Sequence, residues 1–267
     1  MLAKQRQATI LDHVQRRGAV RVSELIDLLG VSDMTVRRDI TALERRGVVQ
    51  KVHGGVAALP ERATHEPDFR TKSLRELDEK QAIARRAAEL VTPGTAIAIS
   101  AGTTTYALAT FLLDVPRLTI VTNNVPVADL LHERGRHDQT VVLVGGVRTP
   151  SDALVGPVAV STIRTLHVDV FFMGVHGMDV HAGFTSPNLL EAEANRALVD
   201  TATRLVVLAD RTKHGVVGLS AIAPLARADV LVTDDGLAAD AAAELAEHVG
   251  RLETVRVAGR PVVPGAV

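Results

Sequence analysis

Val31 to Gly55 reads VSDMTVRRDITALERRGVVQKVHGG. Val36, Ile40 and Leu43 recur at i, i+4 and i+7, which makes one apolar stripe of an amphipathic helix. At about 100° per residue, Met34, Arg38, Thr41 and Arg45 fall on the opposite face, with Thr35 and Arg37 on its flanks. That face carries what a DNA major groove requires: guanidinium groups for phosphates and base edges, and hydroxyls for either. Gly47 is expected to stop the helix. Val48, Val49 and Val52 then suggest a short strand pair, with His53-Gly54-Gly55 at its turn or exit.

Upstream, Lys4 to Arg17 predicts a first helix with Ile10, Leu11 and Val14 inward. Ser23 is the expected N-cap of a second helix, Glu24 to Leu29. Gly30 ends it, and Gly30-Val31-Ser32 turns tightly into the third. Helix, turn, recognition helix and wing make a winged helix-turn-helix over residues 1–57. The expected DNA contacts are Ser32, Thr35, Arg37, Arg38, Thr41, Arg45, Lys51 and His53. Arginines on an amphipathic helix are often just a solvated face, so the charge distribution matters. Residues 1–57 hold 10 Lys and Arg against 6 Asp and Glu, a net of +4; the remainder holds 20 against 25, a net of −5. A basic head on an acidic body fits a DNA-binding domain joined to a separate partner domain.

Composition narrows the rest. The chain has 267 residues, enough for one small and one medium domain. Aromatic residues are only 2 %, with no Trp, so the core is aliphatic and the stacking platforms of a single-strand binder are missing. Cysteine is absent, which excludes disulfides, thiolate metal sites and a cysteine nucleophile. The start, MLAKQRQATI, has no apolar signal-peptide core, and no run approaches ~20 uninterrupted apolar residues. A cytoplasmic protein without a membrane span is expected.

Ala58 to Ser73 is polar, with Pro60 and Pro67, and reads as a linker over 58–73. From residue 74 to 267 aliphatic strands alternate with helices. The strands are expected at 96–100, 118–121, 140–144, 168–173, 204–208, 230–233 and 254–258. The helices are expected at 79–90, 106–113, 127–134, 157–166, 190–201 and 238–249. Near-continuous apolar strands between helices indicate an α/β domain with a mostly parallel sheet covered on both faces. Ligands in such folds bind beyond the carboxyl ends of the strands. The loops there hold Ser100, Gly102, Thr103, Thr104 and Thr105; Asn123 and Asn124; Gly145 and Gly146; Asp179; and Asp210 with Lys213. Gly102-Thr103-Thr104-Thr105 is a glycine turn into a helix start, which suits a phosphate, with Lys213 as a cation for the same anion. No Gly-Lys-Ser/Thr follows, so it is not a P-loop. His176 and His181, near Asp179, lack metal-ligand spacing, and no metal or other cofactor is expected.

The words go further than the pattern. The N-terminal segment resembles the signature of the DeoR family of bacterial transcriptional regulators at Val31, Ser32, Thr35, Val36, Arg37, Arg38, Asp39, Leu43, Glu44, Gly47, His53, Gly54 and Gly55, with Lys51 where the family usually has Arg. AGTTTYALA, VTNN, GG before VGP, DVFFMGVHGMD, GFTSPNLLEAE and LADRTKHG are similar to that family's C-terminal effector domain. The resemblance implies a fold related to ribose phosphate isomerase, a phosphorylated sugar or polyol effector, double-stranded operator DNA as partner, and a homo-oligomer (dimer or tetramer). Two positions depart from the family pattern. Ser100 stands where Asp is usual, and Thr212, following Arg211, stands before Lys213 where Ser is usual. Arg211 either adds charge near the pocket or points to water.

The expectation is a repressor of sugar or polyol metabolism genes released by a phosphorylated effector. Two alternatives remain: an isomerase-like enzyme with a DNA-binding appendage, and a DNA-binding protein whose second domain only oligomerises. The isomerase reading is disfavoured because proton transfer beside a carbonyl needs positioned carboxylates. The GVHGMD loop keeps only Asp179 of the enzymes' Asp-Gly-Ala-Asp stretch, and their Gly-rich segment leading to Glu and Lys is missing.

Overall fold

A computed structural model describes residues 3–46, 48–52, 54–58 and 76–257. The chain divides into two compact units, Met1–Arg62 and Ala63–Val267.

In the first unit α1 (Ala3–Arg17), β1 (Ala19–Arg21), α2 (Val22–Leu29) and α3 (Asp33–Arg45) precede a hairpin of β2 (Val49–Val52) and β3 (Gly55–Ala58). The predicted stripes close on one core: Ile10, Val14, Leu25, Val36, Ile40, Leu43, Val49 and Val56 are all buried. Gly30 ends α2 in the left-handed conformation (φ 62°), which frees the chain to turn into α3. Asp39 is buried on α3, where its carboxylate accepts from Arg6 Nε (2.8 Å) and Gln7 Nε2 (3.1 Å) of α1. That pair fixes the angle of α3 against α1.

Two details differ from the sequence reading. The second helix starts at Val22, preceded by Arg21 with no side-chain cap, so Ser23 is not its N-cap. The cause is β1, a three-residue strand too short to show a period, which runs straight into α2 and pairs with β3 (Val20↔Val56, Arg21↔Gly55). Gly55 is required there, because a Cβ would meet Val20 O at 2.5 Å. The linker expected from Ala58 lies outside the described residues, except that Ala58 itself ends β3. Gly47 and His53 lie outside them too.

The second unit starts with α4 (Leu77–Ala88). It continues with β4 (Ala96–Ile99), α5 (Thr103–Phe111), β5 (Thr119–Thr122), α6 (Val125–Arg134) and β6 (Thr140–Leu143). A short hairpin of β7 (Val147–Arg148) and β8 (Leu154–Val155) leads into α7 (Pro157–Ile163) and β9 (Val168–Gly174). Then come β10 (Gly177–Asp179), β11 (Gly183–Ser186), α8 (Leu189–Thr201) and β12 (Ala202–Leu208). The chain ends in β13 (Ser220–Ala223), β14 (Val230–Asp234), α9 (Ala239–His248) and β15 (Leu252–Val255). All seven expected strands join one parallel sheet, in the order β15-β14-β12-β9-β4-β5-β6.

Alternate side chains feed two cores. Ile97, Ile99, Ile120, Phe172 and Val206 pack under α4, α5 and α6. Ala98, Val121, Phe171, Met173 and Val207 pack under α7, α8 and α9. Burial of both faces explains why these strands read as continuous apolar runs. The sequence reading missed β10, β11 and β13, which form a small antiparallel sheet. They are three or four residues long, without an alternating pattern. The strand order runs one way from β4 to β6 and the other way from β9 to β15. The crevice between the carboxyl ends of β4 and β9 is therefore the topological switch point, where α/β sheets hold ligands.

Candidate functional site

On α3 the outward face is polar apart from one residue. Arg37, Arg38 and Arg45 are exposed, Thr35 and Thr41 half-buried, and Lys51 exposed on the wing strand β2. Ser32 precedes the helix with its Oγ 3.0 Å from Thr35 Oγ1. Arg37 Nε donates to Asp33 Oδ1 one turn earlier (2.5 Å), and this bond raises the guanidinium pKa further. Thr41 Oγ1 donates to Arg37 O (2.8 Å). Arg38 and Arg45 make no ion pair among the described residues and so present uncompensated positive charge to a polyanion. Arg6 of α1 is not one of them: it is tied to Asp39.

In the second unit the glycine-threonine segment sits at the switch point. The helix begins at Thr103, not Tyr106, so the threonines themselves form the first turn of α5. Tyr106 N–H, donating to Gly102 O, makes the first helical bond. The N–H groups of Thr103, Thr104 and Thr105 thus have no helical acceptor and face outward from a helix N-terminus. The hydroxyls of Thr103 and Thr104 make no hydrogen bond to another described residue, whereas Thr105 Oγ1 is fully buried and donates to Gly102 O.

Several rim residues turn out to be structural. Ser100 is fully buried; its Oγ accepts from Gly174 N–H (2.9 Å) and donates to Ala101 O (3.3 Å), which pins β9 to β4. Its one proton and one of its two acceptor sites are thus engaged within the fold. Asn123, also buried, accepts from Ala101 N–H at Oδ1 and donates to Leu154 O from Nδ2. Asn124 is the N-cap of α6, accepting from Val127 N–H. Its buried Nδ2 has no partner among the described residues. Both ends of the Asn123 amide thus hold the rim, whereas only the oxygen of Asn124 does. Gly145 and Gly146 follow β6, an edge strand two places from β4, roughly 10 Å from the switch point at the usual strand spacing. Gly146 (φ 129°) has Val155 O where a Cβ would stand, at 2.4 Å, so its glycine serves the β7–β8 hairpin. Asp179 closes the β10–β11 turn, its Oδ1 accepting from His181 and Ala182 N–H; those bonds lower its pKa.

The loop after β12 behaves differently. β12 lies beside β9, two strands from β4. Asp210 is buried and caps a 3-10 turn, Arg211–Lys213, with its Oδ1 accepting from Thr212 N–H (3.0 Å) and Thr212 Oγ1. Its Oδ2 carries no hydrogen bond among the described residues. Lys213 is half-buried and forms no ion pair among them. The Arg211 guanidinium turns to three carboxylates. Its Nη1 lies 2.8 Å from Glu76 Oε2, 2.9 Å from Glu79 Oε1 and 3.4 Å from Asp234 Oδ1. Burial works against its charge, but Glu76, Asp234 and Glu79 outweigh it and raise its pKa. Glu76 is held above the usual carboxylate range, first by burial and then by Glu79 and Asp210, while Arg211 pulls the other way. Glu76 also precedes α4 with a left-handed backbone (φ 48°).

Two features escaped the sequence reading. Lys80 shares the buried stripe of α4 with Ile83, Ala84 and Ala87, so its side chain faces α5 and the sheet and not solvent. Its place three residues before Ile83 on an apolar stripe was the available signal. Glu191, in the first turn of α8, accepts from Thr149 Oγ1 (2.7 Å) and Ser151 Oγ (2.8 Å), about 40 positions away, which no spacing reveals.

Comparison with known proteins adds to this geometry. Residues 6–62 match a model of the DeoR-like helix-turn-helix domain, and residues 75–235 match the DeoR C terminal sensor domain. The chain is 36% identical over 249 residues to the uncharacterized HTH-type transcriptional regulator YgbI of Escherichia coli (strain K12), covering 93% of this chain and 96% of that one. It is 29% identical over 235 residues to the glycerol-3-phosphate regulon repressor of the same organism, covering 88% and 92%. Among solved structures it is similar to ribose 5-phosphate isomerase A from Methanocaldococcus jannaschii, with a TM-score of 0.37 and 16% identity over 51% of this chain and 53% of that one. Among the described residues no helix is long and apolar enough to cross a membrane.

Proposed function

The chain belongs to the DeoR family of transcriptional regulators, and from that premise we propose that it is a cytoplasmic, homo-oligomeric repressor of sugar or polyol metabolism genes, released from its operator by a phosphorylated sugar or polyol. The observation that carries the effector half is the first turn of α5 at the β4/β9 switch point. It offers three backbone N–H groups and two unengaged threonine hydroxyls on a helix N-terminus. A phosphate suits that environment through both the donors and the helix dipole. Lys213, on a loop two strands from β4 and without an ion pair among the described residues, is the cation assigned to that anion, and Asp210 Oδ2 is available to a sugar hydroxyl.

The DNA half rests on α3 and the wing. Arg38 and Arg45 supply phosphate or base contacts, with Ser32, Thr35, Arg37, Thr41 and Lys51 around them, and His53, outside the described residues, is assigned the same role. Catalysis is not part of this reading, because the Asp179 carboxylate serves its own turn and Glu191 is held by two hydroxyls.

A repressor that binds DNA and effector must couple the two, since a ligand with equal affinity for both states shifts nothing. A coupling of ~1–3 kcal/mol weakens operator binding about 5- to 150-fold. The test is an operator titration with and without candidate sugar phosphates, in wild type and in Lys213→Ala with Thr104→Ala. The double variant should hold DNA at effector concentrations that release wild type. Release by unphosphorylated sugars alone would refute the phosphate site.

A further inference from the structure

We propose that Met34 is a base-reading residue that packs on the C5-methyl group of a thymine in the major groove. It is the second residue of α3, and at 80 % exposure it is the most exposed large hydrophobic side chain among the described residues. It projects from the face opposite Val36, Ile40 and Leu43, all at most 1 % exposed, so it contributes nothing to the core. Its polar neighbours are partly occupied with one another: Ser32 with Thr35, Arg37 with Asp33, and Thr41 with the backbone of Arg37. In this motif the N-terminal residues of the recognition helix reach the base edges, and Met34 stands in that first turn. Leu28 and Val52, the other exposed large hydrophobics of this unit, lie on α2 and β2.

The chemistry of the groove fixes the partner. Base edges there present donors, acceptors and one apolar group, the thymine methyl. A thioether side chain can neither donate a proton nor accept one strongly, so hydrogen-bond readout is closed to it. It is unbranched and polarisable, and so adapts to a small apolar knob whose position shifts with DNA geometry. Cytosine, which differs at that edge by lacking the methyl and by presenting an amino donor, offers Met34 nothing to bury. Met34 thus discriminates T·A from C·G at one base pair in each half-site, beside whatever Arg38 reads. The inference rests on α3 being the recognition helix.

The experiment uses the full-length protein without effector and a duplex selected from a random pool. Each thymine is replaced in turn by deoxyuridine, which removes the methyl and nothing else, and dissociation constants are measured for wild type, Met34→Ala and Met34→Leu. Wild type should lose roughly three- to tenfold in affinity at one position per half-site, the effect of one buried methyl group. Met34→Ala should bind the unmodified duplex more weakly by a similar factor and be insensitive to deoxyuridine at that position. Met34→Leu should keep most of the sensitivity. The position is exposed, so thermal unfolding of Met34→Ala should match wild type. A deoxyuridine penalty that survives in Met34→Ala, or a Met34→Ala loss equal on selected and unselected duplexes, overturns the proposal. Arg38→Ala separates the two levels: if it binds the selected duplex like wild type, the recognition-helix reading fails and takes the Met34 proposal with it.

Discussion

Replacing Arg211 by Ala tests the cluster of charges that the tertiary structure gathers around this residue. The guanidinium is the shared cation of Glu76, Glu79 and Asp234, whose side chains are 14 %, 12 % and 0 % exposed. Removing one partner of a fully buried ion pair costs ~3–5 kcal/mol, because the remaining charge stays buried. Arg211 itself is 28 % exposed and Asp234 keeps the Arg211 and Gly236 N–H groups, so we expect a smaller loss, about 2–4 kcal/mol. The loss should depend on pH. Without the cation that pulls it down, the already raised folded-state pKa of Glu76 rises further. A carboxylate with a raised folded pKa holds more protons folded than unfolded, so its penalty is absent below the ordinary carboxylate range and grows as pH rises through the shifted value. Arg211→Ala should therefore be most destabilised at pH 8 and markedly less so at pH 5, and adding Glu76→Gln should recover part of the loss at pH 8. Tyr106 makes the assay specific. It is the chain's one tyrosine, there is no Trp, and it stands on α5, so its fluorescence during urea unfolding reports the second unit alone. A loss under ~0.5 kcal/mol at pH 8, unchanged at pH 5, would show that the four charges are solvated surface groups.

Three further outcomes follow from particular contacts. Asp39→Ala leaves Arg6 and Gln7 without their buried acceptor and should cost the first unit ~2–4 kcal/mol, read as an early loss of α-helical circular dichroism; a melting profile like wild type would mean that the pair does not fix α3. Ser100→Ala removes only the hydroxyl and orphans Gly174 N–H between β4 and β9, at ~1–3 kcal/mol in the Tyr106-detected transition; equal stability would indicate that water replaces the hydroxyl. Asp179 is held below the ordinary carboxylate range by the Ala182 and His181 N–H groups, so its contribution is present above that range and is lost as pH falls through its lowered pKa. Asp179→Asn should flatten the acid limb of the stability curve, and an unaltered limb would rule that contribution out.

The sequence by itself determined the two-part architecture. Its periods are local: Val36, Ile40 and Leu43 at helical spacing and seven apolar runs at strand length follow from burial on one face or on two, so they could be read before any contact was known. It also brought the right segments to the rim, because the carboxyl ends of parallel strands share one edge. What it could not decide was which rim residues are free. Ser100, Asn123, Asn124 and Asp179 carry ligand-like side chains, yet their partners are backbone groups, some of them on other strands. Only the sheet order shows that Gly145 and Gly146 stand two strands from the switch point. Only the packing of α4 brings Glu76 and Glu79 to Arg211, more than 130 positions away, and turns Lys80 inward. Periodicity reports which face a residue takes; whether its polar atoms are already satisfied depends on long-range pairing, and that is settled only when the chain closes on itself.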